Sequence, residues 1–166
     1  MTDTDFAAQN KCAERWLLEF PERRQSYIDQ LGEFTELASV RYTGMPGGSA
    51  VSSPTQSKAI SLVTLDESRL WIMTIEDTER TLTEKKLAFL DARRWVDKQI
   101  RSTDVQEIGR PAWVDATQAR YADWFWRRYG RDSYPDPKTV TQWWNEIINI
   151  TCRIAIDRRC IFKRIV

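Results

Sequence analysis

Apolar residues recur at helical spacing along most of this 166-residue chain. Intervals of three and four positions place such residues on one face of an α-helix. The pattern predicts a first helix from about Phe6 to Phe20 and a second from Pro21 to about Val40, because a proline is tolerated in a first helical turn. The second segment carries one apolar stripe, which consists of Tyr27, Ile28, Leu31, Phe34 and Leu37.

A glycine-rich stretch at residues 41–54 interrupts this pattern and predicts a flexible connector. Its glycines match neither the phosphate-binding loop nor the dinucleotide-binding pattern. A third helix is expected to begin at Ser53-Pro54, a hydroxyl cap followed by a first-turn proline. Apolar residues surround much of this helix, so we expect it to be buried on several sides or shared with another subunit.

A fourth helix is expected from Thr83 to about Val96, with Leu87, Leu90 and Trp95 as candidates for burial. Residues 97–111 have weak periodicity and are predicted to be mostly loop. A fifth helix is expected between a cap at Asp115 or Thr117 and the terminating Gly130. It combines aromatic and basic residues: Tyr121, Trp124, Phe125, Trp126, Arg127 and Arg128.

A sixth helix is expected to begin with the cap Asp136 and Pro137 and to extend to about residue 158 or 159. Its inner stripe is predicted to contain Val140, Trp143 or Trp144, Ile147, Thr151 and Ile154. The tail at residues 160–166 is β-prone, and we expect it to dock on the core or to pair with a partner. No other strand is predicted, so the fold class is all-α, a helical bundle.

The composition excludes several kinds of site. The chain has no histidine, which rules out His-ligated zinc and both Ser-His-Asp and Cys-His nucleophiles. Three cysteines are an odd number and favour a reduced, cytoplasmic setting over a disulfide framework. No apolar run approaches the ~20 residues of a membrane span, and we expect no membrane partner. Paired acidic residues lack a neighbouring base, so no catalytic residue, metal or cofactor is predicted, and the chain is not expected to be an enzyme.

Charge is distributed unevenly although the net charge is only +1. Residues 1–110 contain 15 Lys and Arg against 18 Asp and Glu, whereas residues 111–166 contain 10 against 6. This asymmetry is typical of a chain whose C-terminal part faces phosphates and whose N-terminal part faces protein. Chance variation between two solvated surfaces gives the same pattern.

The last two predicted helices are expected to form a helix-turn-helix, in which the exposed face of the second helix enters the major groove of DNA. Amide and lysine side chains hydrogen-bond base edges or phosphate, and arginines on the preceding helix neutralise the backbone. Asp136 and Pro137 are expected to leave a positive helix end free to approach phosphate. The predicted DNA-binding residues are Lys138, Thr139, Thr141, Gln142, Asn145, Asn149, Arg127, Arg128 and Arg131.

Two other interpretations of this region stay open. The arginines and the polar residues of the sixth helix can be an ordinary solvated surface. The adjacent aromatics at residues 124–126 and 143–144 can be stacking platforms for single-stranded nucleic acid, although neighbouring side chains on a helix point in different directions.

Several short motifs follow one another along residues 16–157: Ser53-Pro54-Thr55 with Lys58-Ala59, then Leu82, Lys86, Leu90 and Trp95, and finally Thr139-Val140, Trp143 or Trp144 and Ile147-Ile148. In these loose patterns the chain resembles the RinA/ArpU-like phage transcriptional activators. The stretch between Trp95 and the last helix is longer here than is usual in that family. The resemblance implies a sigma-region-4-like helix-turn-helix, sequence-specific DNA binding and activation of late phage genes for packaging or lysis.

The leading hypothesis is therefore a DNA-binding regulator of a phage or prophage in the bacterial cytoplasm. Double-stranded DNA is the expected partner, and the N-terminal helices are expected to contact RNA polymerase or a second copy of the chain. The alternative is a helical protein-interaction module, such as a phage adaptor or host-factor inhibitor, without DNA binding. The expected organisation is an N-terminal helical pair at 1–40, a connector at 41–53, central helices at 54–110 and a DNA-binding region at 111–166.

Overall fold

The computed structural model describes residues 3–40, 54–102 and 113–162. Within these ranges all secondary structure is α-helical, which confirms the predicted all-α fold class. The predicted connector, the predicted Ser53 cap of the third helix and residues 103–112 lie outside the described residues. The helices are α1 Asp3–Leu18, α2 Phe20–Val40, α3 Pro54–Thr81, α4 Glu84–Ser102, α5 Trp113–Tyr129 and α6 Pro137–Asp157.

Helix α6 packs against α1, α3 and α5, so it takes a central place in the bundle. Helix α4 packs along α5, and α2 lies against α3 and α1. The apolar residues meet in one hydrophobic core, to which all six helices contribute. Trp16 stacks on Trp71 with ring centroids 5.5 Å apart, and Phe89 meets Trp143 edge-on at 5.6 Å. The core therefore connects the C-terminal helix pair to the N-terminal half of the chain.

Both ends of α6 have local hydrogen-bonded caps. Asp136 is the N-cap and Pro137 the first helical residue, as predicted. At the C-terminal end, Arg159 adopts a left-handed backbone conformation with φ 58, and the N–H of Cys160 donates to the carbonyl of Ala155 at 2.8 Å. This closure satisfies carbonyls that would otherwise lack partners at the helix end. It also directs the tail back onto α3.

The tail docks on the core, which was one of the two predicted alternatives. The indole N–H of Trp71 donates to the carbonyl of Ile161 at 3.2 Å, and the ring of Phe162 meets Trp71 edge-on at 5.3 Å. The Thr74 hydroxyl lies 3.3 Å from the sulfur of Cys160. These contacts fix residues 160–162 against α3, whereas residues 163–166 lie outside the described residues.

Helix α4 continues to Ser102, so the expected loop beginning at residue 97 is wrong for residues 97–102. Asp97 forms ion pairs within the helix with Arg93 at 3.7 Å and Arg101 at 2.7 Å. Pairs at this spacing stabilise a helix even where apolar periodicity is weak. Glu22 of α2 adds ion pairs to Lys98 and Arg101 at 3.8 and 3.9 Å.

Helix α5 begins at Trp113, upstream of both predicted caps. Asp115 lies in the first turn, and Thr117 is buried inside the helix rather than at its start. The ring of Trp113 packs against Trp144 with centroids 6.3 Å apart. This contact with α6 explains the earlier start, because packing against another helix stabilises the first turn of α5.

Several apolar side chains of α2 and α3 remain on the surface. Ile28 and Leu31 are exposed, so only Tyr27 of the described part of the predicted α2 stripe packs against the core. The apolar α3 is buried through Trp71, Ile72 and Ile75 but exposes Leu62, Val63 and Met73. Trp95 of α4 is also exposed, with the guanidinium of Arg120 4.6 Å from its ring centroid. The side chains at residues 34–40 and 54–61 lie outside the described set.

Replacing Gly130 with alanine should destabilise the fold by about 1 kcal/mol. Gly130 ends α5 with φ 64, and its N–H donates to the carbonyl of Trp126 at 2.8 Å. Among the described residues nothing lies within 4 Å of an added Cβ, so backbone strain alone sets the effect. The matched Gly32→Ala change, inside α2 and equally uncrowded, should instead stabilise by up to ~1 kcal/mol. Urea denaturation measures both, and shifts of the same sign would contradict this assignment.

Candidate nucleic-acid interface

The start of α6 carries a carboxylate where a free, positively polarised helix end was expected. Asp136 accepts the N–H of Thr139 at 2.8 Å and the Thr139 hydroxyl at 3.2 Å. The backbone hydrogen bond from Thr139 holds the pKa of the Asp136 carboxyl below its usual value, so this group is charged at neutral pH. The expectation of a free terminus for phosphate is therefore wrong, and the hydroxyl of Thr139 already serves the cap.

Beyond this first turn, α6 presents a row of exposed polar side chains. The opposite side is buried through Val140, Trp144 and Ile147, so the helix is strongly amphipathic. Within the described parts of the chain, the lysine and amide side chains of the row make no hydrogen bond or ion pair, so they are accessible to a ligand. We call this row the α6 polar face; it consists of Lys138, Thr141, Gln142, Asn145 and Asn149.

The α6 polar face lines an open groove of about 1230 Å³. Val114 and Asp115 at the start of α5 line the same groove, and Glu146 lies on it while bonded to Lys86 of α4. Arg153 also lines the groove and was missed in the sequence analysis. Its position four residues after Asn149 was the available signal, because residues four apart share a helix face.

Two contacts fix α6 relative to α5. The ring of Tyr121 on α5 meets Trp143 on α6 edge-on, with centroids 5.7 Å apart. The buried amide of Gln118 donates to the carbonyl of Pro135 at 2.6 Å, just before the α6 cap. A buried amide held in this way orients the chain that enters α6. The connection at residues 130–136 is thus tied to α5.

The three predicted phosphate-binding arginines lie around the end of α5 rather than in the α6 groove. Arg127 pairs with Asp123 at 3.0 Å and lines a separate groove of about 450 Å³ between α4 and α5. Arg128 pairs with Glu84 of α4 at 2.8 Å. The guanidinium of Arg131 lies 5.9 Å from the ring centroid of Phe125. The structure therefore places the contacts of these arginines on α4 and α5 and does not bring the arginines into one groove with the α6 polar face.

The basic excess of the C-terminal part does not come from the helix pair. Residues 113–157 contain six Lys and Arg and six Asp and Glu, whereas residues 158–166 contain four and none. The lining of the α6 groove itself contains two cations, Lys138 and Arg153, against three carboxylates, Asp115, Asp136 and Glu146. Any attraction to phosphate at this interface must therefore come from local clusters rather than from its total charge.

The exposed aromatics offer little continuous stacking surface. Trp144 and Phe125 are buried, Trp124 and Trp143 are half-buried against the core, and Trp126 is exposed. A stacking platform for successive bases needs several ring faces open to solvent. The aromatic runs at residues 124–126 and 143–144 therefore act mainly as packing groups between α4, α5 and α6.

The cysteines are poor nucleophiles in these surroundings. Burial and the nearby Cys12 raise the pKa of Cys152 to about 11, and burial also raises the pKa of Cys160. Both thiols are thus protonated at neutral pH. Within residues 3–40, 54–102 and 113–162, no group of three His, Cys, Asp or Glu side chains is placed to hold a metal ion. No helix in these ranges is both long and apolar enough to cross a membrane.

Comparison with known proteins returned no match to any family model, curated protein or solved structure.

Proposed function

We propose that this chain is a sequence-specific DNA-binding transcriptional regulator whose α6 polar face contacts the edges of bases in the major groove. The observation that carries the proposal is the accessibility of this face. Gln142 and Asn145 offer amides, which suit adenine, and Lys138 offers an ammonium, which suits guanine or phosphate. A helix with buried apolar residues on one side and free hydrogen-bonding groups on the other is suited to this contact.

Helix α5 would lie across the DNA backbone as the first helix of a helix-turn-helix. The Tyr121–Trp143 and Gln118–Pro135 contacts support this role, because they hold α6 at a fixed orientation to α5. Arg127, Arg128 and Arg131 would then neutralise phosphates at the flank. The resemblance to RinA/ArpU-like activators extends the proposal to late phage genes, with RNA polymerase or a second copy contacted by the N-terminal helices.

A salt titration of the full chain with duplex DNA tests the proposal. Three arginine–phosphate contacts should give a slope of about −2.7 in a plot of log affinity against log salt concentration. Raising the salt from about 50 to 200 mM should then weaken binding about 40-fold. Fluorescence anisotropy with labelled duplex measures this directly. Absence of binding at the lowest salt concentration, with the protein folded, would refute DNA binding.

The α6 groove favours a helical protein-interaction module as the second candidate. Its three carboxylates outnumber its two cations, and Val114 and Asp115 stand beside the polar face, so a polar peptide segment fits the groove as well. Binding of such a peptide releases no counterions from DNA, so its affinity should not show the steep salt dependence of DNA binding. This second function would be supported if the unsubstituted chain bound no duplex DNA but bound a protein partner, and if the Gln142→Ala substitution abolished binding of that partner.

A further inference from the structure

A cluster of donors surrounds Phe125, where the end of α5 meets the start of α4. The ammonium of Lys85 lies 5.6 Å and the guanidinium of Arg131 5.9 Å from the Phe125 ring centroid. The ring of Tyr129 lies 4.6 Å from the same centroid, and the guanidinium of Arg128 is 5.8 Å from the Tyr129 ring. We call this cluster the α4–α5 patch; it consists of Lys85, Arg128, Tyr129 and Arg131.

A carboxylate of the chain itself accepts hydrogen bonds from two of these donors. Arg128 Nε donates to Glu84 Oε1 at 2.8 Å, and the Tyr129 hydroxyl donates to Glu84 Oε2 at 3.2 Å. Hydrogen bonding to Arg128 holds the pKa of Glu84 below its usual value, so the carboxylate is charged at neutral pH. A phosphate oxygen accepts hydrogen bonds from the same donors that a carboxylate uses.

The Glu84–Arg128 pair is easy to exchange. More than half of each side chain is exposed, at 55% and 58%, so water screens the attraction between them. Lys85 and Arg131 have no ion pair with a carboxylate among the described residues, so the patch keeps an excess of positive charge around Glu84. This excess distinguishes the patch from the α6 groove, in which carboxylates outnumber cations.

We propose that the α4–α5 patch is a phosphate-binding site, in which Tyr129 and Lys85 act with Arg128 and Arg131 and Glu84 is an internal competitor of the DNA phosphate. This inference rests on the proposed DNA binding. It adds two phosphate-binding residues, Lys85 and Tyr129, and a competing carboxylate, Glu84. In the free protein Glu84 holds Arg128 and Tyr129. In the complex a phosphate replaces Glu84, so the carboxylate lowers the affinity for every duplex sequence alike.

The Glu84→Gln variant tests this competition by anisotropy titration at several salt concentrations. It should bind duplex DNA about threefold more tightly than the unsubstituted chain at low salt, and its salt slope should steepen by up to ~0.9, because no displaced Glu84 carboxylate takes up a cation when the phosphate binds. The matched control is Glu22→Gln, since Glu22 is an exposed carboxylate paired with Lys98 and Arg101 at the other end of α4. That variant should leave both the affinity for duplex DNA and the salt slope unchanged.

Arg128→Ala in the Glu84→Gln background should abolish the gain, and Tyr129→Phe should remove part of it, because the two donors act on one phosphate. If the unsubstituted chain binds DNA but Glu84→Gln binds no more tightly and with an unchanged slope, the competition is refuted while DNA binding stands. If no variant binds duplex DNA at any salt concentration, the proposed function fails and this inference falls with it.

Discussion

Replacing Trp144 with alanine should destabilise the protein by about 4 kcal/mol, the largest effect we expect from one substitution. Trp144 is only 3% exposed and stands where four helices meet. Its ring faces Trp113 of α5 and the guanidinium of Arg93 of α4, whose distance to the ring centroid is 5.2 Å. Its indole N–H donates to Glu14 of α1 at 3.1 Å. Alanine therefore leaves a cavity, a buried arginine with one stacking partner and a carboxylate without its donor.

Two controls separate these contributions. Trp144→Phe keeps most of the ring contacts and removes the N–H donor, so it should cost only about 1–2 kcal/mol. Trp126→Ala removes an indole that is 58% exposed and should change stability by less than ~0.5 kcal/mol. Urea denaturation followed by circular dichroism at the helical band measures all three. A loss below about 1 kcal/mol for Trp144→Ala would contradict the central packing role of this residue.

The boundaries of α6 were predictable because both local chemistry and periodicity specify them. Asp136 and Pro137 form an N-terminal signature that needs no information from elsewhere in the chain. The apolar positions Val140, Ile147 and Thr151 repeat at helical spacing and are buried as expected. The choice between Trp143 and Trp144 was not predictable, because adjacent residues differ by about 100° around a helix and either can face inward.

The errors in α4 and α5 come from ion pairs and packing contacts that apolar periodicity does not report. Residues 97–102 are helical because Asp97 pairs along α4 and Glu22 reaches across from α2. The start of α5 at Trp113 is stabilised by Trp144, about thirty residues later in the chain. The Asp97 pair at four-residue spacing was a local signal, whereas the contacts from Glu22 and Trp144 lie outside any short window of the sequence.

The candidate site was predictable in its hydrogen-bonding groups and not in its charges. The exposed row on α6 follows directly from helical spacing. The pairing of Arg128 with Glu84, 44 positions earlier, depends on how α4 packs along α5 and has no signal in the sequence. The Asp136 cap shows the same limit, because a residue that begins a helix also neutralises the end that was expected to face phosphate.

The double substitution Gln142→Ala and Asn145→Ala should abolish discrimination between a preferred site and unrelated duplex, a loss of about 100-fold in relative affinity. Each amide can form two hydrogen bonds with adenine, and its loss removes about 1–3 kcal/mol of discrimination. Both side chains are exposed, so stability should change by less than ~0.5 kcal/mol. The matched control is Gln30→Ala on α2, which removes an exposed amide far along the chain from α6.

Selection from a pool of random duplexes tests the DNA contact of α6 most directly when the unsubstituted chain and this double variant are compared side by side. The unsubstituted chain and Gln30→Ala should enrich one shared sequence motif. The double variant should bind the pool with the same salt slope, because its arginines still contact phosphates. It should enrich no motif, because the two amides that contact bases are gone. Enrichment of the same motif by the double variant, or of no motif by the unsubstituted chain, would contradict the assignment of base contacts to the α6 polar face.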